Sequence, residues 1–136
     1  MTTAREKKEY EDRRFLSNAG WDVTKKDNVS MHTGAETLQH FIGKALAAYR
    51  LNEVGYRIDS EVNHISGNTV DVLAYGCKGR DPIGVEVETD LTDETKRAKI
   101  DKYVNDGQLY DLFFLEATEV PANIIDGYNW IQEQIL

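Results

Sequence analysis

The sequence predicts an α/β domain: a core of helix, three strands, helix, strand, with a mixed four-stranded sheet flanked by helices and an extra helix at the N-terminus. Three observations carry this expectation. Apolar residues recur at helical spacing in TGAETLQHFIGKALAAYRLNEVG, they alternate at strand spacing in TVDVLAY and VEVET, and they run almost uninterrupted in YDLFFL.

The 136 residues suit one domain, taken as residues 1–136 with a helical extension (1–32), a core (33–118) and a C-terminal helix (119–136). Sixteen Lys and Arg against 24 Asp and Glu leave a net charge of −8, which argues against indiscriminate adhesion to phosphate backbones. A local basic patch or divalent ions can still offset that field at a point of contact. The first residues are charged, and no run approaches the roughly 18 apolar residues of a membrane span, so the expectation is a cytoplasmic protein without signal peptide or membrane contact. The single cysteine, Cys77, has no partner for a disulfide and receives no role.

Residues 1–17 read as a charged helix of nearly balanced sign, better explained by a solvated face laced with side-chain pairs than by a nucleic-acid arm. Asn18-Ala19-Gly20 breaks it, Trp21-Asp22-Val23 suggests a short strand, and a polar connection follows over 24–32. Thr33 and Glu36 fit a capping box opening the next helix, which Asn52 to Gly55 stops. A wheel of that helix gathers Leu38, Phe41, Ile42, Ala45 and Tyr49 on a packing face, leaving Glu36, His40, Lys44 and Ala47 on a free one. Two extended stretches, 56–65 and 69–75, flank the turn Ser66-Gly67-Asn68, and a third covers 83–89, giving three antiparallel neighbours. Thr92-Asp93-Glu94 starts a helix rich in Lys that ends at Asn105-Asp106-Gly107; Tyr110 to Leu115 then returns parallel to the third strand, and Pro121 opens the last helix.

Chemistry concentrates on the middle strands. Alternation places Val70, Val72 and Ala74 on one face and Asp71, Leu73 and Tyr75 on the other, while Glu86 and Glu88 oppose Val85 and Val87. Antiparallel pairing brings Asp71 beside Glu86, with Glu88 one pleat further along. Like charges so close raise one another's pKa unless a cation joins them. Hard Mg²⁺ or Mn²⁺ suits two carboxylates plus a main-chain oxygen, here that of Val87. The bland alternative is a pair of solvent-facing charges on a sheet with one wet face.

Asp71 in TVDVLAY, fifteen residues before Glu86 of VEVET, a Lys-rich helix after that strand and a preceding helix ending L-x3-G-Y-x-I together resemble the PD-(D/E)XK nuclease superfamily, the restriction-endonuclease-like fold, over residues 33–118. The resemblance implies a metal-dependent DNA endonuclease or phosphodiesterase, with Asp71 and Glu86 as metal ligands and a homodimer acting on DNA, branched or damaged forms included. Two departures stand out: Thr69-Val70 precedes Asp71 where the family has its proline, and Glu88 occupies the place of the motif lysine. Some members carry Glu there and others recruit a lysine from the next helix. On that pattern Glu88 takes a proton from water or holds a second metal, and Lys96, Lys99 or Lys102 supplies positive charge near the phosphate, Lys99 being favoured with Lys102 close behind.

The resemblance also makes Glu36, His40 and Lys44, at i, i+4 and i+8, candidates for the cleft; capping is the competing account of Glu36, and an edge-packed imidazole that of His40. Glu61 is a further acid whose face the alternation leaves open. The rival functional reading is a catalytically inactive nuclease-fold module used for binding or regulation, its chemistry lost with the lysine. No G-x-G-x-x-G, P-loop or G-x-S-x-G pattern competes.

Overall fold

The structure, a computed structural model, describes residues 3–24, 29 and 36–135. Four strands form one sheet in the order β1-β2-β3-β4: β1 (Arg57–Asn63), β2 (Thr69–Tyr75), β3 (Ile83–Glu88) and β4 (Asp111–Glu116). The first three run antiparallel, and β4 joins β3 in parallel register, Ile83 opposite Asp111 through Glu88 opposite Glu116. A parallel neighbour requires a crossover. Helix α3 (Asp93–Ile100) supplies it, continuing into a π-helical turn over Asp101–Asp106.

Two apolar clusters lie across the sheet. Helix α2 (Leu38–Val54) and helix α4 (Ile124–Gln134) cover one, in which Ala47, Leu51 and Ile131 pack against Val72, Ala74, Val85, Val87 and Leu115. The other joins Leu16 of helix α1 (Ala4–Asn18), Trp21 and Tyr103 to Val62, Val70, Leu73 and Leu112. At the closest approach of α2 to the sheet, a Cβ on Gly43 would lie 3.0 Å from Val87 Cγ1, so the absence of a side chain there lets the helix sit down on β3.

Several expectations need correction. Helix α2 is capped by Thr37, whose hydroxyl accepts the His40 N–H at 3.1 Å, so Glu36 precedes the helix instead of closing a capping box; Thr33 lies outside the described residues. The wheel assignment is inverted in part: Leu38 and Tyr49 are 75% and 60% exposed, whereas Lys44 and Ala47 are both 0%. Helix α1 is docked through charged groups, with buried Glu9 taking Arg57 Nε at 2.7 Å and buried Asp12 accepting the Gly76 N–H at 2.8 Å. Trp21 makes an isolated bridge to His64 in place of a strand, and its indole N–H donates to the Gly107 carbonyl at 2.7 Å. Asn123, two residues after Pro121, caps α4. No helix among the described residues is long and apolar enough to cross a membrane.

Candidate functional site

The β2–β3 ladder runs from Ala74–Ile83 to Val72–Val85 and stops there. Beyond that point the strands part, and the Asp71 side chain occupies the gap, its Oδ2 accepting the Val87 N–H at 2.8 Å. A carboxylate thus satisfies a strand amide that a neighbouring backbone carbonyl would ordinarily serve. The facing rule fails at the same place: Val70 packs with Leu73 and Tyr75 in the α1 cluster, apart from Val72 and Ala74, correcting the expected alternation.

Asp71 and Glu86 come near each other in this gap, close enough for each to shift the other's ionisation. Each is approached from a different layer. From α2, His40 Nε2 lies 3.4 Å from Asp71 Oδ2 while its Nδ1 lies 2.7 Å from Glu36 Oε1. From α3, Lys99 Nζ lies 3.5 Å from Glu86 Oε2 and also pairs with Glu88. Lys44, buried on α2, sits 2.6 Å from Glu36 and 2.7 Å from Glu61. The candidate residues Glu36, His40, Lys44, Asp71, Glu86, Glu88 and Lys99 are therefore brought into one network, with Glu61 added. Lys102 is exposed on the π-helical turn and stands outside it.

Tyr103 is the member that sequence reasoning missed. Its hydroxyl donates to the Thr69 carbonyl at 3.0 Å, within reach of Glu86, and its ring meets Trp21 edge-on at 5.6 Å. Its neighbours Asp101, Lys102 and Asn105 read as a charged helix; only the π-helical turn, which no local pattern announced, aims it at the strand gap.

The electrostatics split the central pair. Burial pushes Glu86 well above the ordinary carboxylate range, and neighbouring Asp71 pushes it further. Burial acts on Asp71 in the same direction, but hydrogen bonds from His40, Glu86 and the Val87 amide more than offset it and leave its pKa lowered. His40 is raised from 6.5 to about 9, chiefly by the bond to Asp71. Burial opposes the charge on Lys44 and Lys99, yet their carboxylate partners prevail and both are raised. Of the two carboxyl groups, Glu86 therefore holds its proton more tightly and Asp71 gives its proton up more readily.

Among the described residues, no group of three or more His, Cys, Asp or Glu side chains forms a cage for a metal ion. Mg²⁺ does not need one, since it is commonly held by one or two carboxylates and completes its shell with water and substrate phosphate. Two features fit such an ion. Glu86 Oε1 is buried with no hydrogen-bond partner, and the carboxylates of Glu36, Glu61, Asp71, Glu86 and Glu88 outnumber the cations His40, Lys44 and Lys99 by two. One divalent cation would balance that excess without a bound proton.

No protein-family model, curated protein or solved structure matches this chain.

Proposed function

We propose that the protein is a metal-dependent phosphodiesterase acting on DNA, with a restriction-endonuclease-like core and the PD-(D/E)XK site in a variant form. The observation that carries this reading is the meeting of Asp71 and Glu86 in the strand gap, with an unpartnered Glu86 oxygen and Lys99 alongside. Asp71 and Glu86, with the Val87 carbonyl, are the groups that would hold Mg²⁺ or Mn²⁺. When bound, the ion supplies Lewis-acid polarisation of a phosphoryl oxygen and lowers the pKa of coordinated water.

The chain's own residues do the rest. Glu88, half-buried at the end of β3, is placed to take the proton of the attacking water. Lys99 reaches in from the following helix, and in the reaction its ammonium compensates charge on the phosphate, the part the missing motif lysine would play. His40 and the Val87 amide hold Asp71 ionised and oriented. A net charge of −8 makes binding depend on this local patch and the ion, and a homodimer would let one small unit address two strands.

The rival reading, an inactive nuclease-fold module for binding or regulation, is favoured by one observation: His40, Lys44 and Lys99 already neutralise most of the carboxylates. Two measurements separate them. Calorimetric titration with Mn²⁺ on the wild type and on Asp71→Ala is expected to reveal a carboxylate-dependent site. Incubation with plasmid, single-stranded and branched DNA in Mg²⁺ or Mn²⁺ is expected to give cleavage that Asp71→Ala loses. Ion binding without cleavage supports the inactive module; absence of both removes the phosphodiesterase.

A further inference from the structure

Glu61 has φ of +51°, one of two non-glycine residues with positive φ among the described residues, and it lies in the middle of β1. L-residues other than Asn and Asp rarely adopt this left-handed conformation, least of all inside a strand. The ladder on both sides is in register, Ser60 opposite Val72 and Val62 opposite Val70, yet Glu61 and Asp71, which that register sets face to face, are not paired. Both strands change phase at this point. Ile58 and Val72 belong to the α2 cluster, whereas Val62 and Val70 belong to the α1 cluster.

Something must hold a strained residue in place, and the side chain shows what does. Glu61 Oε1 is 2.7 Å from Lys44 Nζ, which is wholly buried on α2 and anchored a second time to Glu36 at 2.6 Å. A buried ammonium with two carboxylates is a rigid point, because separating any partner strands a charge away from water.

We infer that the left-handed conformation of Glu61, which the pair with Lys44 lets a side-chain-bearing residue hold, is a positioning device for Asp71: it takes Asp71 out of the β1–β2 ladder, so that the Asp71 carboxylate turns into the gap and meets Val87 N–H, His40 and Glu86. Glu61 and Lys44 act through Asp71 and need not touch an ion or a substrate. The consequence for metal binding rests on the phosphodiesterase reading, whereas the placement of Asp71 does not.

The test compares Glu61→Gly with Glu61→Ala. Both remove the carboxylate and leave Lys44 equally short of a partner, but glycine tolerates positive φ and alanine does not. Hydrogen exchange of the Val87 amide, followed by NMR, reports whether Asp71 still accepts from it, and Mn²⁺ affinity is measured in parallel. Glu61→Ala is expected to lose Val87 protection by about tenfold or more, while Glu61→Gly keeps it within about threefold of the wild type. The Val72 and Val85 amides, inside the ladder, should stay protected in both. Mn²⁺ affinity should follow the same order. Equal Val87 protection in the two variants, whether kept or lost, overturns the inference. A wild type that binds no Mn²⁺ overturns the metal site instead and leaves the exchange result to decide the positioning. If Glu61→Ala does not fold, the comparison is made in a Lys44→Met background, which leaves no unpaired ammonium in the core, and the same ordering is required.

Discussion

Asp71 Oδ2 accepts the main-chain N–H of Val87 at 2.8 Å, on the neighbouring strand and past the last paired residues of the β2–β3 ladder. The contact couples strand geometry to chemistry, because the carboxylate that completes the sheet is also the one that faces Glu86 and His40. The two duties are separable by substitution. Asp71→Ala leaves the Val87 amide buried and unserved, a loss of about 1–3 kcal/mol in urea unfolding. Asp71→Asn retains an acceptor oxygen but no charge, so its unfolding midpoint should lie much nearer the wild type. In both, Mn²⁺ affinity measured by calorimetry should fall by about 10- to 100-fold or more.

Glu86 offers the opposite trade. Its carboxylate is buried with one oxygen unpartnered, and burial penalises its charged form. Glu86→Gln removes that penalty and gives Asp71 an amide donor. The metal-free variant is expected to be more stable than the wild type by about 1–3 kcal/mol at pH 8, while the rise in melting temperature that Mn²⁺ produces in the wild type disappears. A variant that is less stable without metal would show that the Glu86 carboxylate is needed by the fold itself.

The path from sequence to site divides along physical lines. Local signals carried the hairpin at Ser66-Gly67-Asn68, the Thr92 cap and the parallel return of β4, because turn chemistry, capping and apolar runs act over a few residues. The same locality explains the failures on α2. Hydrophobicity puts Leu38 and Tyr49 on the packing face and charge puts Lys44 on the free one, but Lys44 is buried, paired with Glu61 on a different element and with Glu36 ahead of the helix. Alternation on regular strands predicts that Asp71 and Glu86 converge. The structure reaches it by another route, a phase change and a gap that no periodic pattern encodes.

Stability of the metal-free protein should decline as pH rises above neutrality. His40 is raised to about 9 in the fold from 6.5, so its contribution is complete below pH 6.5 and is lost as pH climbs through about 9. Glu86, also raised, contributes in the same sense, fully below the ordinary carboxylate range and less as it ionises. Asp71 is lowered and works the other way, its contribution disappearing only in acid. Denaturation in chelator at pH 6.5 and 9 should therefore show a fall, with about 1–2 kcal/mol belonging to His40 after allowance for solvent screening of its partly exposed ring. His40→Gln should flatten that part of the profile.

Gly43 tests whether the seating of α2 sets the reach of His40. A Cβ at this position would already lie 3.0 Å from Val87 Cγ1 and 3.4 Å from Val120 Cγ2, so the larger side chain of Gly43→Val cannot be housed without lifting the helix from β3. His40 lies one turn earlier on the same helix, and its 3.4 Å contact with Asp71 would lengthen as α2 moves. The variant is expected to lose about 1–3 kcal/mol of stability through overpacking. More tellingly, the His40 pKa followed by NMR should drop from about 9 toward 6.5, since the bond to Asp71 is the main cause of its elevation. If Gly43→Val is destabilised while His40 still titrates near 9, the imidazole is held by Glu36 and Asp71 independently of how the helix sits, and close packing at Gly43 serves only the core.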